Sequence, residues 1–278
     1  MTRDRAAAVL ARIGVGAASE GTEPGLIDGA LALAQYSLPA VDPAPYRQHV
    51  ADLADRTAAV LARRDHVLAR RDALHAALVA ANGYHREARD TDTLDDANLF
   101  RVIDRRRGLP VALAILYVGV GRALGWSIAG IAFPGHVLVQ IEHAGERRIL
   151  DPVENLRSLG APALRNLLKR VAGPEAELQA AHYAHVADRD LLLRLENSRK
   201  LRLVAQGRLA EALDALAAMR MLAPCDPNLW RETGVLHAQV GNLADAAEAL
   251  EHALALGHDA ATRQAAAELL DQIRGRMT

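Results

Sequence analysis

Residues 105–152 read RRRGLPVALAILYVGVGRALGW, then SIAGIAFPGHVLVQIEHAGERRILDP. The first half is apolar on almost every side from Val111 to Leu124, which predicts a helix buried in a domain core. Pro110 suits its first turn, where the missing N–H costs nothing, and Gly125 suits its end. SIAGIAFPG predicts a strand closing at Pro134-Gly135. HVLVQIE and RRILDP predict two more strands around the turn HAGE. Alternation puts Val137, Val139 and Ile141 on one face, with His136, Leu138 and Gln140 on the other. If the turn centres on Ala144-Gly145, Leu138 lies opposite Asp151. His136 and Asp151 then become same-face diagonal neighbours, roughly 7–8 Å apart at the backbone. A one-residue slip would separate them onto opposite faces.

Upstream, Leu26, Leu31, Leu33 and Ala34 predict an early helix ended near Leu38-Pro39. A single long helix is expected from about Pro45 to Asn82, because VLARRDH at 60–66 repeats as VLARRDA at 67–73. Its arginines read as a solvated face. REARDTDTLDDAN at 86–98 is expected as a polar loop, and NLFRVIDRRRG at 98–108 as a short helix. Downstream of about residue 155 the chain reads as helical. Gly207, Leu209, Ala212 and Leu216 recur as Gly241, Leu243, Ala246 and Leu250, each 34 residues on. That offset is the tetratricopeptide period. So few copies are expected to dock on the domain before them. Three regions follow: a helical layer over 1–97, an α+β core over 98–157, and a helical region over 158–278 with repeats at about 190–260.

The 278 residues are 51% apolar and 3% aromatic, so aliphatic side chains must fill the core. A net charge of −1 and a neutral pI of 6.8 argue against a nucleic-acid surface or a polybasic membrane anchor. The lone cysteine, Cys225, excludes an intrachain disulfide and a multi-cysteine metal site and suits a reducing compartment. The opening MTRDRAAAVLARIG lacks a signal-peptide core, and the apolar stretch at 108–126 is short for a membrane span. A soluble cytoplasmic protein with no cofactor and no metal is expected.

A histidine on one strand, an aspartate on the next and a buried helix start recur in acyl-transfer enzymes. There the histidine is the base, the aspartate fixes its tautomer, and a cysteine at the helix N-terminus supplies a thiolate. The motifs RRRGLPVALAILYVGVGRALGW, FPGHVLVQI and ILDP, followed by the repeats, resemble the bacterial invasion-regulator (SirB-type) family. That family joins a transglutaminase-like domain to tetratricopeptide repeats. The resemblance implies a mostly helical α+β fold, with a transglutaminase-like (papain-like) core and a small antiparallel sheet. It also places His136 and Asp151 at the histidine and aspartate positions of the triad.

By the same resemblance the nucleophile position falls at about Pro110, which has none to offer, and neither do Leu109, Val111 or Ala112. The resemblance also implies that proline there is common in the family. Val137 and Gln140 stand where phenylalanine and arginine are more usual. Cys225 lies in a repeat turn, and Ser127 lies past the wrong end of the helix. The leading expectation is therefore a non-catalytic adaptor for a protein or peptide, with a degenerate site. The alternative is a hydrolase or acyl transferase that uses the dyad with an unconventional nucleophile. Without a nucleophile, a structural pair that pins the hairpin to the helix is the preferred reading of the dyad over a catalytic one. Arg105, Arg106 and Arg107, with Arg101 one turn earlier, are candidate binding residues for a phosphate or carboxylate. A solvated face, or an arginine locking Asp104, is the plainer account. Trp230 is a candidate contact in the repeat groove. His182 and His185 at i and i+3, with Asp188, form a weak metal candidate, and His143 lies at the hairpin turn, far from the dyad.

Overall fold

Pro110 opens the helix around which the rest of the chain is folded. The computed structural model describes residues 2–16, 25–61, 65–86, 93–257 and 259–277. Its elements begin with α1 (Thr2–Val15), α2 (Leu26–Ser37), α3 (Ala44–Leu61), α4 (Val67–Leu74), α5 (Leu99–Arg105) and α6 (Pro110–Ala123). Four strands follow: β1 (Ser127–Phe133), β2 (His136–His143), β3 (Glu146–Asp151) and β4 (Arg157–Leu159). The chain then runs through α7 (Ala161–Ala172), α8 (Asp188–Ala205), α9 (Leu209–Leu222), α10 (Pro227–Gln239), α11 (Leu243–Leu256) and α12 (Ala260–Met277).

Every residue of α6 from Val111 to Gly121 is buried, as its all-round apolar sequence requires. Two glycines let neighbours in. A Cβ on Gly119 would fall 2.3 Å from Ile27 of α2, and one on Gly121 would fall 2.9 Å from Ile128 of β1. Trp126 N–H bonds back to the Gly121 carbonyl at 3.0 Å, and Gly125 turns the chain at φ 72°. Thus α6 folds straight back against β1, and its N-terminus lies at the end of the sheet where β1 finishes and β2 starts.

The sheet is antiparallel in the order β1-β2-β3-β4. One face, carrying Ile128, Val137, Val139, Ile141 and Leu150, joins the main core with α6. The other, carrying Ile131, Phe133, Leu138 and Ile149, is covered by Leu164, Leu167 and Leu168 of α7, spaced as one helical stripe. Gly130 lacks the Cβ that would meet Leu191, so α8 also approaches the sheet. Val186 N–H bonds to the Gly130 carbonyl, and His185 bridges Ile131, covering the free edge of β1.

Two sequence expectations are corrected. The helix expected over 45–82 is broken. The chain restarts at His66, whose backbone is extended and whose Nδ1 accepts the Ala69 N–H at 3.2 Å. Asp65 holds Arg70 through two bonds of 2.6 and 2.7 Å at the same place. After Leu74 the helix loosens into a π-helical stretch, His75–Ala80. Residues 62–64, and residues 87–92 of the expected polar loop, lie outside the described set. The second correction is β4, where only helix was expected after residue 155. Its three residues pair with β3 from Ile149↔Leu159 to Asp151↔Arg157.

The 34-residue offset corresponds to two helical hairpins, α8–α9 and α10–α11. Gly207 and Gly241 make the equivalent turns at φ 71° and 85°, and Ala212, Leu216, Ala246 and Leu250 are buried. The copies solve one contact differently. Trp230 and Gly234 of α10 correspond to Glu196 and Lys200 of α8. Glu196 is 1% exposed and takes two bonds from Arg199, at 2.9 and 2.6 Å, while Lys200 is tied to Glu232. Burial pushes the Glu196 carboxyl up, and Arg199 opposes that rise. The repeats dock on the core: Leu191, Leu192 and Leu195 of α8 belong to it, and Gly14 of α1 lies against the Met221 carbonyl of α9.

A Cβ on Gly234 would fall 2.7 Å from Leu250 Cγ and 3.0 Å from the Ala246 carbonyl. Gly234→Val is therefore expected to destabilise the chain by overpacking, by about 1–3 kcal/mol. A urea unfolding midpoint equal to that of the parent would contradict that close approach.

Candidate functional site

The hairpin takes the in-register form. Val139 pairs with Leu150 and His143 with Glu146, around the turn Ala144-Gly145. Carried one step on, the register sets Leu138 opposite Asp151, so positions 136 and 151 share a face as diagonal neighbours. His136 pairs with Phe133 across Pro134-Gly135 and is half-buried. Asp151 is buried, and its Oδ1 accepts the Val153 N–H at 2.9 Å, fixing the turn after β3.

At this same end of the sheet, but against the face opposite the one that positions 136 and 151 share with Leu138 and Ile149, lies the start of α6. It is positioned by Asp96, which is 2% exposed. The Asp96 carbonyl accepts the Leu109 N–H at 2.9 Å. Its carboxylate takes Arg107 through two bonds, 2.9 and 3.2 Å, and the Thr93 N–H and hydroxyl at 2.7 and 3.0 Å. Burial alone would raise this carboxyl. The bonds from Arg107 and Thr93 outweigh it and hold the group below the ordinary carboxylate range. The helix start so fixed presents Leu109, Pro110, Val111 and Ala112, none of them a nucleophile. Cys225 is exposed in the turn between α9 and α10, and Ser127 opens β1 at the far end of α6.

The basic run is divided by the fold. Arg105 bonds to Asp95 at 3.0 Å and to the Thr93 hydroxyl at 3.2 Å, and Arg107 belongs to Asp96. Asp104 is held by Arg101 at 3.6 Å. Arg106 has a left-handed backbone, φ 57°, and goes elsewhere. Its Nη1 bonds to His49 Nε2 at 2.6 Å and to the Tyr84 hydroxyl at 2.5 Å, and these two lie 2.9 Å apart. Burial, aided by the Arg106 charge, lowers the His49 pKa, and burial pushes the Tyr84 phenol up to about 12. Nothing in the sequence pattern announced His49 or Tyr84, which stand 57 and 22 residues from Arg106.

Trp230 is engaged within the chain. Arg220 lies 4.3 Å over its ring, His252 stacks on it at 4.4 Å, and its Nε1–H donates to the Pro224 carbonyl at 3.0 Å. The histidine pair and Asp188 do not converge. His182 lies in a short 3-10 turn and accepts the Gln179 N–H, His185 meets Gln140 Nε2 at 2.6 Å, and Asp188 pairs with Arg122 at 2.6 Å. Among the described residues no three His, Cys, Asp or Glu side chains group as metal ligands. His143 bonds to the Asp65 carbonyl at 3.1 Å, away from the dyad.

Asp96→Ala removes the buried carboxylate that takes two bonds from Arg107 and two from Thr93, and a loss of about 3–5 kcal/mol is expected. Because the Asp96 pKa is depressed in the folded chain, its contribution is complete above the ordinary carboxylate range. It is lost as pH falls through the lower, folded-state pKa. Acid titration of stability should therefore be shallower for Asp96→Asn than for the parent, and equal slopes would refute the ion-pair account.

Comparison with known proteins fits this architecture. A profile described as the transglutaminase-like superfamily matches residues 44–197, and a tetratricopeptide-repeat profile matches residues 200–271. A UPF0162 protein of Pseudomonas aeruginosa is 32% identical over 202 residues, covering 69% of this chain and 70% of the relative. Protein SirB1 of Salmonella typhimurium is 26% identical over 156 residues, covering 55% and 58%. The solved structure of menin, whose title reports the binding site for Mixed Lineage Leukemia (MLL) protein, aligns with 91% of this chain and 70% of its own. At 10% identity and a TM-score of 0.39 it carries no argument. No described helix is long and apolar enough to cross a membrane. Together with the buried helix, the in-register hairpin and the 34-residue repeats, these matches show that the chain belongs to the transglutaminase-like superfamily, within the SirB-type family that joins such a core to tetratricopeptide repeats.

Proposed function

We propose that this chain is a non-catalytic, transglutaminase-like adaptor that holds a protein or peptide on its repeats. The observation that carries this is the start of α6. The position where thiolate chemistry would begin is Pro110, its neighbours are apolar, and the single cysteine lies in the repeat turn. On this account His136 and Asp151 form a structural pair at the end of the hairpin. A lone cysteine suits a cytoplasmic setting.

The partner surface we propose is the outer stripe of the first helix in each repeat. Asn197, Leu201 and Val204 are spaced i, i+4 and i+7 on α8, where Leu201 and Val204 are exposed; of their counterparts 34 residues on in α10, Arg231 and Val235 are half-buried and Ala238 packs against the cluster of α11 and α12. Leu201 is 57% exposed and Val204, one turn on, 37%, so the two form a small apolar patch on α8. Trp230 supports this surface from behind, since its ring is taken up by Arg220 and His252.

A second reading, a hydrolase or acyl transferase using the dyad with an activated water, draws support from the shared face of positions 136 and 151. The two differ in what they lose. A displayed peptide library panned on the full chain should yield a ligand. Its affinity should fall at least tenfold in Leu201→Glu and hold in His136→Ala. An empty selection, or a ligand indifferent to Leu201→Glu, would sink the proposed surface.

A further inference from the structure

Arg106 is anchored by one nitrogen only. The guanidinium can only donate, so His49 Nε2 must accept from Nη1, which makes the imidazole neutral with its proton on Nδ1. The Tyr84 hydroxyl also accepts from Nη1, and it lies 2.9 Å from His49 Nε2. Tyr84 is fully buried, so the tether is fixed. Among the described residues no carboxylate comes within ion-pair distance of Arg106, and the edge formed by its Nε and Nη2 has no partner.

That edge belongs to a residue lining a pocket of about 550 Å³ between α3 and α5. Val41, Pro45 and Ile103 give the pocket an apolar wall. Tyr46 is locked there by stacking on Phe100 at 4.3 Å. The two acids at the site are already engaged. Asp104 accepts the Tyr46 hydroxyl at 3.2 Å and faces Arg101, and Asp42 accepts the Ala44 N–H at 3.0 Å. The pocket therefore offers a guanidinium edge with no carboxylate bonded to it, beside an apolar wall and two lining acids that are held by other partners. A planar fork of this kind matches a carboxylate through two parallel bonds.

We propose that this pocket binds an organic carboxylate with a short apolar body, its carboxylate on Nε and Nη2 of Arg106 and its body against Val41, Pro45 and Ile103. An ammonium ligand would leave the Arg106 edge unused and meet its positive charge, and bare phosphate would leave the apolar wall unused. The carboxylate could be that of a free small acid or of a peptide C-terminus. The site is separate from the repeat surface, so its failure would leave the adaptor proposal standing.

The test is an NMR titration of the ¹⁵N-labelled full chain, followed at the Arg106 Nε–H resonance. The probes are 4-methylpentanoate, its amide, inorganic phosphate, N-acetyl-leucine and N-acetyl-leucinamide. Both carboxylates are expected to shift the resonance saturably, and both amides to leave it in place. Arg106→Gln should weaken carboxylate binding about tenfold or more, and Arg106→Lys, which keeps the charge and loses the fork, should recover only part of it. Tighter binding of N-acetyl-leucine than of 4-methylpentanoate supports a peptide end, and the reverse order supports a free acid. Carboxylates and amides behaving alike, phosphate binding as tightly as 4-methylpentanoate, or unchanged affinity in Arg106→Gln would each overturn the proposal. The comparison of acid with amide is made on the parent chain and does not depend on a variant folding.

Discussion

One buried carboxylate sets the geometry on which the site depends. Asp96 is nearly inaccessible, accepts from Arg107 and Thr93 with its side chain, and accepts the Leu109 N–H with its backbone. An unpaired charge at that depth would be prohibitive, so Arg107 is held where it is. Once Arg107 and Leu109 are fixed, the first turn of α6 can start in only one place. The residue between the fixed Arg105 and Arg107 must turn away, and Arg106 does so with a left-handed backbone. The same constraint thus starts the core helix and aims a guanidinium at a different surface.

From that start the energetics are those of an aliphatic core. With few aromatics, close packing depends on small residues that let backbones approach, and Gly119 and Gly121 bring α2 and β1 onto α6. Close approach makes such a core intolerant of added volume. The two repeats show two ways of filling equivalent space. The second uses Trp230 and Gly234, and the first uses Glu196 and Lys200 with their ion-pair partners. Buried ion pairs recover their desolvation cost only with good geometry. The first copy also carries the helix that joins the main core, so its buried charges lie next to the docked surface.

Much of the sheet and the repeats was legible in the sequence because short-range rules govern them. Strand alternation and a tight turn fix the register of β2 and β3, and a 34-residue offset marks the repeats. The break at His66 was hidden because VLARRD recurs after seven residues and mimics an unbroken helix, whereas the cap is made by a histidine nitrogen. β4 is too short to carry a periodic signal. Arg105, Arg106 and Arg107 looked alike as a run, since what separates them is partners brought in by tertiary contact: Asp95 and Asp96 for two of them, His49 and Tyr84 for the third. The apparent pairing of His182 with His185 failed for a related reason. The spacing implied a helix where the chain runs from a 3-10 turn into an extended bridge.

The superfamily fold is retained here with a helix start that offers no nucleophile, and the account of an adaptor rests on that. The most direct test is hydrolysis of p-nitrophenyl acetate and a panel of activated acyl esters by a Cys225→Ala chain, which removes the exposed thiol as a source of background reaction. The account predicts that its rate equals that of the same chain carrying His136→Ala, with no acyl adduct detectable by mass spectrometry. Turnover that disappears with His136→Ala while the fold is kept would contradict it.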